Sequence, residues 1–122
     1  STYSSAFSCL QKNLPAFHYM IAIFGGENVR CAEYETFGTK KLANSAIKAL
    51  VGRNACLLAN HGLISINDNL SSAYDIVIEL EEMCKQYLVA TKMGTLKLLS
   101  KQEMASVIKK FKSYKSANSL SK

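Results

Sequence analysis

Ala55-Cys56-Leu57-Leu58-Ala59-Asn60-His61-Gly62-Leu63-Ile64-Ser65-Ile66 is the stretch from which the rest of the chain is best understood. Its five apolar or small residues, Ala55 to Ala59, are long enough for a buried strand. They run into Asn60-His61-Gly62, and a second short apolar run follows. The pattern predicts two strand-like segments with an imidazole at the break between them. Gly62 permits the positive φ or close backbone approach of a sharp bend, and a strand end gives His61 rigid support with an open side. His61 then has two readings, a ligand to a metal or a core or turn histidine satisfied by one hydrogen bond. One imidazole is not a metal site, and spacing alone leaves both open.

Working outward, Ser1-Thr2-Tyr3-Ser4-Ser5 reads as the cap of a short helix carrying Ala6, Phe7, Cys9 and Leu10, ended by Asn13-Leu14-Pro15. Pro15 biases Leu14 toward extended backbone. The evenly apolar run Ala16 to Phe24 reads as a buried helical turn or short helix, Gly25-Gly26 breaks it, and Val29 to Tyr34 alternates as a strand does. After the turn Thr36-Phe37-Gly38-Thr39, residues Leu42, Ala43, Ala46, Ile47, Leu50 and Val51 recur at helical spacing up to Gly52. Beyond the central pair, Asn67-Asp68-Asn69 leads into the longest helix. Its stripe of Ala73, Ile76, Val77, Leu80, Cys84, Tyr87 and Leu88 predicts a buried face, with Glu79, Glu81, Glu82 and Lys85 toward water and Gly94 as the stop. Ser100-Lys101-Gln102-Glu103 has the capping-box pattern and opens a last helix that buries Met104, Val107, Ile108 and Phe111. The small polar tail Ser116 to Lys122 is expected to fray.

Composition narrows the classes. A 122-residue chain with 48% hydrophobic content is one domain or part of one, and folds rather than staying disordered. The longest apolar run, around Tyr19 to Phe24, is far short of a membrane span. Cys9, Cys31, Cys56 and Cys84 lie in apolar contexts without a C-x-x-C pair. That fits buried reduced thiols in a cytoplasmic setting better than a disulfide framework or a zinc knuckle. The net charge of +6 suits a phosphorylated substrate and, more weakly, nucleic acid. The chain begins at Ser1 without methionine, so any targeting signal lies out of view.

Alternating strands and helices place the chain in the α/β or α+β class, with helices packed on a sheet. Three short strands are too few for four helices of this amphipathicity, and they leave unpaired edges. An upstream stretch supplying further strands resolves both problems.

Three motifs, Pro15-Ala16-Phe17-His18-Tyr19-Met20-Ile21-Ala22, Cys31-Ala32-Glu33-Tyr34-Glu35-Thr36-Phe37-Gly38-Thr39 and Asn60-His61-Gly62-Leu63-Ile64, resemble in order and spacing the class II aldolase and adducin family. The resemblance runs on to Phe111-Lys112-Ser113-Tyr114 and covers nearly all of this chain, but only the C-terminal part of a family domain. It implies a three-layer α/β/α subunit with a mixed central sheet and a C4 homotetramer. It also implies a zinc-dependent lyase cleaving a phosphorylated ketose, such as L-fuculose 1-phosphate, into dihydroxyacetone phosphate and an aldehyde. Cleavage beside a ketone leaves an enediolate, whose charge zinc stabilises as a Lewis acid.

By the same resemblance His61 is one of three zinc ligands. An H-x-H pair, the catalytic glutamate and most phosphate-binding loops lie upstream of Ser1. Tyr34 and Tyr114 match tyrosines that reach the site of a neighbouring subunit, where a phenol donates a proton or orients the substrate. Their plainer readings are a strand residue with a surface hydroxyl and an end-of-helix aromatic.

His18 reads as a hydrogen-bonded core histidine. Lys109-Lys110-Phe111-Lys112-Ser113-Tyr114-Lys115 reads as the solvated face of an amphipathic helix rather than a nucleic-acid patch. Glu35 departs from the small residue of the family motif, and a carboxylate beside Tyr34 bears on substrate identity. Relatives on this scaffold include sugar-phosphate epimerases and methylthioribulose-phosphate dehydratases. The other function class is a non-catalytic adducin-like assembly module. Retention of His61, Tyr34 and Tyr114 favours the enzyme.

Overall fold

A computed structural model of the chain describes residues 1–120, with side chains as far as Tyr114. The expected hairpin is its centre. Strand β2 (Ala55–Leu58) pairs antiparallel with β3 (Gly62–Ser65), with Leu58 opposite Gly62 and Ala55 opposite Ser65. On its other edge β2 pairs in parallel with β1 (Cys31–Ala32), in register Cys31 to Leu57. The sheet is therefore mixed, in the order β1-β2-β3.

Strand β1 is shorter than the Val29–Tyr34 run predicted. Val29 is drawn into a two-bond bridge with Leu14, N to O at 2.9 and 3.0 Å, so the extended backbone that Pro15 imposes on Leu14 finds its partner there. Tyr34 leaves the ladder altogether.

Helix α1 (Thr2–Ser8) lies on β3, and its last predicted members, Cys9 and Leu10, fall beyond its end and are exposed. The run after Pro15 becomes a 3-10 helix over Tyr19–Phe24, capped by His18, whose Nδ1 accepts from the Met20 amide at 3.1 Å. That is the structural histidine expected. Gly25 closes the helix at φ 102°, where an added Cβ would stand 2.7 Å from the Gly52 carbonyl oxygen, so glycine is required twice over.

The longest helix, α3 (Leu70–Met93), starts with a reciprocal cap between Asn69 and Ser72, and α4 (Lys101–Leu120) starts with the Ser100–Glu103 box, both bonds at 3.0 Å. Helix α4 buries Met104 completely and Val107, Ile108 and Phe111 in part, while Lys109, Lys110 and Lys112 face water. The tail expected to fray continues the helix to Leu120, residues 121–122 lie outside the described residues, and so does the Lys115 side chain.

The main core lies on one side of the sheet, where Phe7, Leu14, Ile21, Phe24, Leu57, Leu80 and Met104 are at most 5% exposed. Of the α3 stripe, Ile76, Leu80 and Cys84 enter this core, Tyr87 packs against it, and Leu88 is exposed. Glu81 corrects the prediction that it faces water. Its carboxylate accepts from the amides of Tyr3 and Ser4 at 3.1 and 2.7 Å and from the Ser4 hydroxyl at 3.0 Å, and so caps α1 from another element.

Helix α2 (Lys40–Leu50) covers the other face, capped by Thr39 Oγ1 accepting from the Leu42 amide at 3.2 Å. Only Ala46 and Ala49 of this helix are buried there, with Ala32, Cys56 and Leu58 of the sheet. Ile47 and Val51, predicted inward, are both 64% exposed. A helical stripe identifies an apolar face, and the three strands present offer that face too little sheet to cover.

All four cysteines are free. Burial pushes the Cys56 and Cys84 thiols up to about 11, which makes them inert packing groups, whereas Cys9 is exposed and departs from the buried-thiol expectation. Among the described residues no helix is long and apolar enough to cross a membrane.

Candidate functional site

His61 sits at the tip of the hairpin. Three residues, Ala59, Asn60 and His61, span the gap between Leu58 and Gly62, with the His61 amide donating to the Leu58 carbonyl at 2.9 Å. Asn60 takes the left-handed conformation at φ 63°, which its short polar side chain tolerates, and Gly62 re-enters the ladder at φ 146°. At Gly62 only glycine is free of strain.

The tip is pinned from two sides. The Ala59 amide donates to the Ala32 carbonyl at 3.1 Å, and the Asn60 amide to the Ser8 carbonyl at 3.0 Å. Gln11 Nε2 adds a bond to Asn60 Oδ1 at 2.7 Å. The result is a rigid support for an exposed imidazole, as the sequence pattern predicts.

Around that imidazole the structure brings together residues far apart in the chain. The loop after β1 returns over the tip, and the Tyr34 ring stacks on His61 with centroids 5.5 Å apart and planes 23° apart. His61 Nε2 lies 3.1 Å from the Glu35 carbonyl oxygen. Tyr34 keeps 54% of its surface exposed, and Phe37, at the crest of the same loop, keeps 78%.

The reading that gives Tyr34 to a neighbouring subunit therefore meets a contact inside this chain. Tyr34 lies on its own His61. Tyr114 is elsewhere, 71% exposed on α4, the helix that packs on the 3-10 helix.

Two features escaped the sequence reading. One is the backbone carbonyl of Glu35, which carries no side-chain signature. The other is Tyr19, 52% exposed, whose ring stacks between His18 at 5.1 Å and Phe111 at 6.2 Å. A polar-tipped aromatic inside an otherwise apolar run was its only signal.

Beside the tip, an open cleft of about 910 Å³ runs along the unpaired edge of β1 beneath α2, lined by Arg30, Cys31, Glu35, Lys41 and Lys48 among others. Neither His61 nor Tyr34 lines it.

Among the described residues no three His, Cys, Asp or Glu side chains converge as a metal cluster. His61 fits as one ligand of a site, because it is exposed, rigidly held and anchored through one ring nitrogen. It does not make a site by itself.

The sequence pattern of the class II aldolase and adducin N-terminal domain matches residues 1–88. The chain belongs to this family. It is 45% identical over 114 residues to a 5-deoxy-D-ribulose 1-phosphate aldolase of Bacillus thuringiensis, covering 93% of this chain and 53% of that protein. It is 41% identical over 112 residues to a 5-methylthioribulose-1-phosphate/5-deoxyribulose-1-phosphate aldolase of Rhodospirillum rubrum, covering 92% of this chain and 51% of that one. An L-fuculose phosphate aldolase of Escherichia coli is 40% identical over 115 residues, with 93% and 54% covered. Among solved structures, an L-fuculose 1-phosphate aldolase superposes with a TM-score of 0.86 at 47% identity, over 92% of this chain and 52% of that one. The mixed sheet with helices packed on it is thus the class II aldolase fold, and the chain spans about half the length of the curated relatives it matches.

Proposed function

We propose that this chain is the C-terminal part of a single class II aldolase domain, and that the complete protein cleaves a phosphorylated ketose to dihydroxyacetone phosphate and an aldehyde. The observation that carries the reading is His61, an exposed imidazole on a rigid hairpin tip, in a chain whose relatives are named as aldolases of ketose phosphates. The net charge of +6 favours an anionic substrate. In this reading His61 supplies one neutral ligand to a zinc ion whose other ligands come from upstream. When bound, zinc supplies Lewis-acid stabilisation of the negative charge left as the carbon–carbon bond breaks.

The chain's own groups do the rest. Neutral imidazole leaves the positive charge of a bound cation uncancelled. Tyr34 and Tyr114 offer phenols that orient the departing aldehyde or hold a proton for it. Tyr114, exposed on α4 and away from His61, would serve a neighbouring subunit of a homotetramer, and a ring lending the same surface around closes with cyclic symmetry.

The test is made on the complete protein. It should retain about one zinc per subunit after dialysis against a weak chelator and cleave L-fuculose 1-phosphate or 5-deoxyribulose 1-phosphate. Inactive His61→Ala and inactive Tyr114→Phe chains, reassembled together, should regain part of the activity. A complete protein with no metal and no cleavage of either sugar would leave the adducin-like assembly module as the better reading.

A further inference from the structure

Helices α1 and α3 pack side by side, and between them lies a half-open groove of about 370 Å³. The stretch from Tyr3 to Leu10 supplies one wall and Cys84 to Thr91 of α3 the other. Seven residues of helical rise make each wall about 10 Å long. Phe7 and Cys84, 5% and 2% exposed, lie deepest, and the Phe7 ring meets Tyr87 edge to face with centroids 5.1 Å apart. Leu10 and Leu88 line the same groove and stay exposed. His61, Tyr34 and Tyr114 do not line it.

Polar groups converge at one end of this apolar channel. Lys12 Nζ stands 5.8 Å from the Phe7 centroid and 5.4 Å from that of Tyr87, and donates to the Tyr87 hydroxyl at 3.2 Å. That bond engages one of the three ammonium protons, and the hydroxyl that accepts it keeps its own proton to donate. At the other end the Lys85 ammonium lies 5.8 Å from the Tyr3 ring. Among the described residues that line the groove there is no Asp or Glu. The groove is therefore apolar along its length and cationic at both ends.

We infer that the groove binds a small amphipathic carboxylate, of which a medium-chain fatty acid is the simplest member. The chain lies between α1 and α3, and covers apolar surface that is otherwise left in water. The carboxylate accepts from Lys12 Nζ and from the Tyr87 hydroxyl, a charge-assisted pair of bonds. A volume of this size with a few convergent polar groups is the ordinary form of a small-molecule site. A neutral amphiphile fits the channel equally well but leaves the ammonium without a counter-charge, so the head group selects the anion. The site is separate from the proposed aldolase chemistry and does not depend on it.

The test uses the complete protein and decanoate, below its micellar concentration. Titration calorimetry should show saturable binding of one decanoate per chain, with decanol at least about tenfold weaker. Lys12→Met keeps the stem of the side chain and should weaken decanoate by about 10–100-fold while leaving decanol nearly unchanged. Ala6→Phe, at an exposed position on the wall, should fill the groove and block both ligands. Thermal melts should show that both variants fold.

Absence of saturable decanoate binding would overturn the site, as would an affinity that neither variant changes. Equal affinity for decanol and decanoate, or binding to anionic phosphatidylglycerol vesicles without binding to monomeric decanoate, would overturn the assignment to a free carboxylate.

Discussion

Leu57 and Leu58 are neighbours in β2 and point to opposite sides of the sheet, and the two sides are built differently. On the Leu57 side α1, the 3-10 helix, α3 and α4 close a core whose largest members are fully buried. On the Leu58 side α2 alone lies over the sheet, through small side chains, and turns Ile47 and Val51 outward. The first face is covered by four helices of this chain. The second buries a small apolar cluster and leaves large apolar side chains at its surface.

The largest expected effect tests that contrast directly. Leu57→Ala leaves a cavity in a layer that cannot collapse and should cost roughly 3–5 kcal/mol, read from denaturant unfolding. Leu58→Ala, with 9% of its surface exposed and a thinner cover, should cost less, about 2 kcal/mol. Equal losses would mean that both faces are equally closed and would break the comparison.

Glu81→Gln should cost about 1 kcal/mol, since it weakens a cap on α1. Its pH dependence is the sharper sign. Partial burial raises the Glu81 pKa, but the bonds from the Ser4 and Tyr3 amides and the Ser4 hydroxyl outweigh that and hold it below the ordinary carboxylate value. The stabilisation is therefore fully present above the unfolded-state pKa and is lost as pH falls through the lower folded-state value. Stability measured across acidic pH should fall more steeply in wild type than in Glu81→Gln, and identical slopes would remove the ionic cap.

The smallest expected effect is Ile47→Ala, below about 0.5 kcal/mol for this chain. A cost above about 1 kcal/mol in the complete protein would show that α2 is covered there.

The hairpin was legible in sequence because its signal is local. Two apolar runs broken by Asn60-His61-Gly62 predict both the strands and the exposed tip, and Ser100 with Glu103 predicts its helix start for the same reason. Leu42 to Val51 shows where local signals stop. Periodicity marks an apolar face without saying whether the partner lies in the same chain.

Glu81 fails in the opposite sense. A carboxylate in a helix reads as solvated, and only the tertiary fold brings the first amides of α1 to it. At the site, the break between two apolar runs singled out His61, and the family resemblance singled out Tyr34. Their stacking depends on a loop closing over a hairpin, with Glu35 and His61 26 positions apart in the chain, a contact that neither segment encodes alone.

Helix α1 is only seven residues long, yet it is fastened at both ends. Glu81 of α3 holds its first amides, and its last carbonyl, that of Ser8, takes the amide of Asn60 beside the imidazole. Mechanically it is a strut between the longest helix and the hairpin tip. The Asn60 amide can exchange its proton with solvent only when the strut parts from the tip. Its protection is thus a gauge, read one residue from His61, of how firmly α3 grips the far end of α1.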